Sequence, residues 1–131
     1  MGGNPARIGW LAILAGFIVD NLISELVGAI GQSFDPMLAQ GVTLASTAGI
    51  ITSIFLVLST GLGGWIAGRL AKREYVLHGT LVGGVEIILM LIMAVAGDAP
   101  SPLQIWLQFA AVLAGALGGY LSQWIPSTQK E

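Results

Sequence analysis

Arg69-Leu70-Ala71-Lys72-Arg73-Glu74 separates two long apolar runs, 42–71 and 76–97, and holds three of the five basic residues in the chain. The other two are Arg7, ahead of an apolar run over 8–30, and Lys130, behind a fourth run over 103–125. The two remaining connections carry Asp35 and Asp98 and neither Lys nor Arg. A helix of about 20 apolar residues crosses a hydrocarbon core of about 30 Å, and Lys and Arg collect on the cytoplasmic side. The pattern predicts an all-α fold, a polytopic transmembrane four-helix bundle with both termini and the 72–74 turn in the cytoplasm. The whole of 1–131 reads as one transmembrane domain of a multi-pass protein of the bacterial cytoplasmic membrane.

Composition agrees. The 131 residues are 55% hydrophobic and 9% charged, with mean hydropathy +0.85, against about 25% charged residues in a soluble domain. A net charge of −2 gives no basic field for nucleic acid. The absence of cysteine excludes disulfides and cysteine-ligated metal. The first run follows Arg7 as a signal peptide would, but it is longer than the roughly 7–15 residues of an h-region and contains Asp20. It is expected to be a retained helix. Trp10, Trp65, Trp106, Tyr120 and Trp124 fall toward helix ends, where amphipathic rings favour the headgroup zone.

Nineteen glycines would weaken soluble helices, since Gly costs about 1 kcal/mol against Ala. In lipid, however, small residues let helix backbones approach closely. At helical spacing they form a seam on each run: Gly61, Gly64 and Gly68 on the second, Gly79 and Gly83 on the third, Gly115, Gly118 and Gly119 on the fourth. The first run offers Gly9, Gly16, Asp20, Ser24, Gly28 and Gly31. Gly61-Leu62-Gly63-Gly64-Trp65-Ile66 also reads like Ala116-Leu117-Gly118-Gly119-Tyr120-Leu121. Each follows a helix with a mid-depth carboxylate, so the chain is readable as two parallel-repeat helical hairpins.

Asp20 and Glu86 lie about 15–18 Å from the basic edge at 1.5 Å per residue, near the midplane. A charged side chain there costs on the order of 2.5–3.5 kcal/mol on insertion scales and reads by default as functional. Ser59 and Thr60 descend through the same layer, and the carboxyls are expected to bond to them, to water or to each other. Glu25 lies higher, with Asn21 and Ser24 on the same helix. Asp20, Glu86, Ser59, Thr60, Glu25 and Asn21 form a candidate proton or ion site, or else polar glue between helices.

His78, the one histidine, opens the third run. It is expected as an interfacial donor to headgroups or to the terminal carbonyls of helix 2, with pigment or haem contact as the lesser alternative; no other cofactor and no metal site is indicated. Arg69, Lys72 and Arg73 are expected at lipid headgroups. No nucleophile triad or phosphate loop is present, so an enzyme is not expected.

Gly63-Gly64-Trp65-Ile66-Ala67-Gly68-Arg69, then Leu77-His78-Gly79 and Val82-Gly83, then Gly115-Ala116-Leu117-Gly118-Gly119 form one string. It resembles an uncharacterised family of small four-pass bacterial membrane proteins with a Gly-Gly-aromatic-x-Ala-Gly…Leu-His-Gly core. The resemblance implies the four-pass topology and no activity. Small multidrug exporters and fluoride channels often work as antiparallel pairs, which a charge bias of five to none disfavours.

The functional expectation is a structural or accessory role. The chain would pack by glycine seams within itself, or against lipids and partner subunits of a larger respiratory or photosynthetic membrane complex. The alternative is a proton- or cation-coupled small transporter or channel using Asp20 and Glu86.

Overall fold

The computed structural model describes residues 8–125. Arg7 and Lys130, which contribute to the charge asymmetry, lie outside the described residues. Four helices run α1 (Trp10–Phe34), α2 (Thr47–Ala71), α3 (Tyr75–Val95) and α4 (Pro102–Ser122), with a short 3-10 turn at Pro36–Gln40 after α1. The longer pair, 25 residues each, span about 37 Å at 1.5 Å per residue, and the 21-residue pair about 31 Å. All four are long and apolar enough to cross a membrane. The protein is a small multi-pass membrane protein built as a four-helix bundle.

The distribution of side chains is what a lipid solvent favours. Leu11 is 83% exposed and Val95 90%. The buried apolar residues are few: Ala12, Ile13, Leu38, Ala67, Val82 and Ala111. Polar and small residues fill the interior, among them Asp20, Thr52, Ser53, Ser59, Thr60, His78 and Ser122. Helices gain nothing by hiding leucine from lipid, so contact goes to the side chains that allow close approach or hydrogen bonding.

The helix ends depart from the sequence expectation for local reasons. α1 continues through Gly31-Gln32-Ser33-Phe34, where a break was predicted. Glycine does not stop a helix whose neighbours cover it; Pro36 does. Asp35 then accepts from Met37 N–H at 3.1 Å and from Ser46 Oγ at 2.5 Å. Ser46 in turn caps α2 by accepting from Gly49 N–H at 3.1 Å, so α2 starts at Thr47 rather than near 42. α3 ends two residues early, in a Schellman arrangement around Gly97 (φ 106°): Asp98 N–H donates to Met93 O and Gly97 N–H to Ala94 O. Ser101 and Gln104 form a reciprocal capping box that starts α4.

The turn between α2 and α3 is tight. Lys72 and Glu74 both adopt left-handed backbone, φ 56° and 46°, which costs a non-glycine residue roughly 1–2 kcal/mol. Lys72 and Arg73 are exposed there. The Arg69 guanidinium sits 5.7 Å from the Trp65 ring centroid and donates to the Ile125 carbonyl beyond the end of α4. Arg69 therefore ties two helix ends together at the basic edge, beyond the headgroup role expected of it.

α2 is the central helix, packed against α1, α3 and α4. The two hairpins share an orientation, but their packing is not two-fold. α3 leans on α2, while α1 barely reaches α4. Gly64 and Gly118 mark where backbones touch: a Cβ on Gly64 would stand 2.2 Å from Gly115 O, and one on Gly118 1.9 Å from Gly61 O. Gly16 of α1 meets Gly63 of α2 in the same way, at 2.4 Å from its carbonyl. Gly79 and Gly119 bring α3 and α4 together. These contacts lie in the half of the bundle nearer the basic edge; toward the acidic edge of Asp35 and Asp98, α1 and α2 stay close at Gly31 and Thr52, and a cavity opens between α2, α3 and α4.

Candidate functional site

Where the glycine contacts end, a polar cluster begins. Asp20 of α1 is fully buried. Its Oδ1 accepts from Ser59 Oγ of α2 at 2.6 Å and lies 3.3 Å from Ser24 Oγ, one turn along α1. Ser24 and Ser59 are themselves 2.8 Å apart. Since each hydroxyl has one proton, the arrangement that satisfies both has Ser24 donating to Ser59 and Ser59 donating to Asp20. Among the described residues Asp20 Oδ2 has no hydrogen-bond partner, an uncommon state for a buried carboxyl oxygen.

Glu86 of α3 adjoins Asp20. Gln108 of α4 donates through Nε2 to Glu86 Oε2 at 2.9 Å. Four helices thus contribute one polar layer at mid-depth. Small residues explain how they meet: a Cβ on Gly63 would lie 3.0 Å from Asp20 Cβ of α1, and one on Gly83 would lie 2.8 Å from Val112 Cα of α4.

A cavity of about 360 Å³ leads from the acidic edge to this layer. Asp98, Pro100 and Gln104 stand near its mouth, Met90 and Met93 on its wall, and Ser24, Thr60, Glu86 and Gln108 around its inner part. Asp20 sits behind that lining and is hydrogen-bonded to it through Ser59 and Ser24, with Glu86 beside it. On the basic side of Asp20 the packing is dry: Ile13, Ala67 and Val82 form an apolar cluster with Phe17, Leu81 and Val85 against it. The arrangement can exchange a proton, or admit a small cation, from one side, and it blocks passage to the other.

The site expectations divide. Asp20, Glu86 and Ser59 come together. Thr60 lines the cavity, but its hydroxyl turns back to Leu56 O at 3.5 Å and does not reach the carboxyls. Glu25 and Asn21 point away from the bundle; Asn21 Nδ2 donates to Phe17 O of its own helix at 2.9 Å. Ser24 and Gln108 complete the layer and were not singled out as site residues. For Gln108 the available signal was its place at helical spacing on the face of Ala111, Gly115 and Gly118 in the fourth run.

His78 lies in the first turn of α3 and is fully buried between the helices, not open to headgroups. Gly9 N–H donates to Nε2 at 2.9 Å, so the ring proton is on Nδ1, which lies 2.9 Å from Glu74 O and donates to it. With both nitrogens engaged, neither has a lone pair left for a haem or pigment metal. His78 joins the uncapped start of α1 to the first turn of α3. Compared with known protein families, curated proteins and solved structures, the chain matches none.

Proposed function

We propose that the protein is a proton-coupled membrane transporter or channel whose coupling site is the Asp20–Glu86 pair. The observation that carries this reading is the unpartnered, fully buried Asp20 Oδ2 beside a second carboxyl at the inner end of a polar cavity. Ionisable groups inside membrane spans mark proton relays, and they do so where side chains lead to them from water. Ser24, Ser59 and Gln108 hold the pair in place, and the Ile13–Ala67–Val82 cluster acts as the barrier that must open for transfer to complete. With the basic edge in the cytoplasm, as the positive-inside rule orients it, the cavity opens to the outside of the bacterial cytoplasmic membrane. Catalysis has no part in this reading.

The test is proton flux in proteoliposomes under an imposed pH gradient, followed by an entrapped dye. Asp20→Asn and Glu86→Gln are near-isosteric and keep the hydrogen-bond frame. Both should reduce flux to that of empty vesicles while the protein stays folded. Full flux in the double variant, or no flux from the unaltered protein, would overturn the proposal.

The structural reading, an accessory subunit within a larger membrane complex, keeps one specific support. Asn21 and Glu25 face outward from α1 at membrane depth, where a lipid-only environment offers them nothing. Stoichiometric co-purification with other subunits in mild detergent would favour it.

A further inference from the structure

We infer that two copies of the chain pair in parallel along the outer face of α1. Leu14, Ile18, Asn21, Glu25, Gly28 and Gln32 follow one another at intervals of four, three, four, three and four residues. This is the alternation of a left-handed helix–helix seam. The face is unpartnered within one copy. Leu14 is 51% and Ile18 47% exposed, Asn21, Glu25 and Gln32 are exposed, and nothing lies within 4 Å of a Cβ added to Gly28. The inward face of the same helix, Ala12, Ile13, Gly16, Asp20 and Gly31, is a separate set and is buried.

The chemistry of the face selects a second copy as its occupant. Asn21 lies eleven residues into α1, about 16 Å along it, where no water satisfies a polar group. One amide N–H already goes to Phe17 O. The other N–H and the carbonyl Oδ1 remain, a donor and an acceptor on the same group. Identical chains insert with the same orientation, so a two-fold axis along the membrane normal sets Asn21 against Asn21. Each can then donate its free N–H to the other's Oδ1. A single polar residue at such a seam position fixes register and oligomeric state. The same axis sets Glu25 against Glu25 one turn later, where two carboxyls bond only with a proton between them, and Gly28 leaves the space for the backbones to close. Leu22 and Leu26, 67% and 61% exposed on the adjoining face, are left to lipid.

The chain contains no cysteine, so single-cysteine variants in native membranes report the seam directly. Oxidative cross-linking should give a covalent dimer with Leu14→Cys, Ile18→Cys and Gln32→Cys and only background with Leu22→Cys and Leu26→Cys. Asn21→Leu in the Ile18→Cys background should lose the dimer band while the unfolding midpoint of the protomer stays put. A band that is strongest at 22 and 26, equal at all positions, or absent at every position would overturn the pairing. The last outcome would assign the face to a different subunit. None of these results depends on proton flux, so this inference and the transport reading fail separately.

Discussion

His78 illustrates how one side chain can replace a helix cap. α1 begins at Gly9 without a side-chain cap, and an uncapped helix start leaves N–H groups without partners. His78 Nε2 accepts one of them across 69 residues of sequence. Its Nδ1–H is fixed on Glu74 O, which holds the ring in the tautomer that can accept. His78→Ala should therefore destabilise the protein by about 1–3 kcal/mol, the penalty for stranding a sheltered donor, with a further loss from the void. Unfolding in detergent by rising denaturant concentration would measure it, and an unchanged midpoint would remove His78 from this role. From sequence the residue reads as interfacial because it follows a basic turn. That reading lacks only the knowledge that α1 starts beside it, a contact no periodicity reveals.

The helices themselves were legible as elements, and their contacts only in part. Four apolar runs separated by turn residues and prolines determine how many spans there are. Their ends depend on side-chain caps at Asp35, Ser46 and Ser101 and on Gly97, which shift the boundaries by several residues. Glycine spacing identified the seams without distinguishing which glycines carry them: Gly31 is buried against Thr52, whereas Gly28, three residues earlier, touches nothing. The distinction predicts opposite outcomes for one substitution. In Gly118→Ala the new methyl would meet the Gly61 carbonyl at 1.9 Å; α2 and α4 must separate, at a cost of about 1–3 kcal/mol typical of overpacking. In Gly84→Ala nothing lies within 4 Å, and the change should be neutral or stabilising by up to about 1 kcal/mol through helix propensity. Equal destabilisation of the two in detergent unfolding would show that backbone proximity is not what the α2–α4 glycines supply.

At the scale of the whole molecule the bundle behaves as a wedge. Glycine contacts draw α2, α3 and α4 together near the basic edge, and among the described residues α3 and α4 make no such contact beyond Gly83 and Gly115 toward the other edge. The cavity of about 360 Å³ lies in that less tightly packed half, and it stops at the carboxyl layer because the close-packed half begins there. The depth of Asp20 and Glu86 was readable by counting residues, whereas the cavity was not, since it arises from the relative tilt of helices that no single span encodes. A wedge of this shape should admit water and small solutes from one side only. Gln104→Cys near the mouth and Met90→Cys on the wall should react with a membrane-impermeant thiol reagent added at the acidic edge. Neither should react when the reagent is added at the basic edge. Ala67→Cys, placed in the apolar cluster where Ala67 is fully buried, should resist reagent from both sides. Labelling of Met90→Cys from the basic edge at a comparable rate would mean that the glycine-packed half is not a seal. In that case the carboxyl pair would stand in an open pore with no barrier between it and either side.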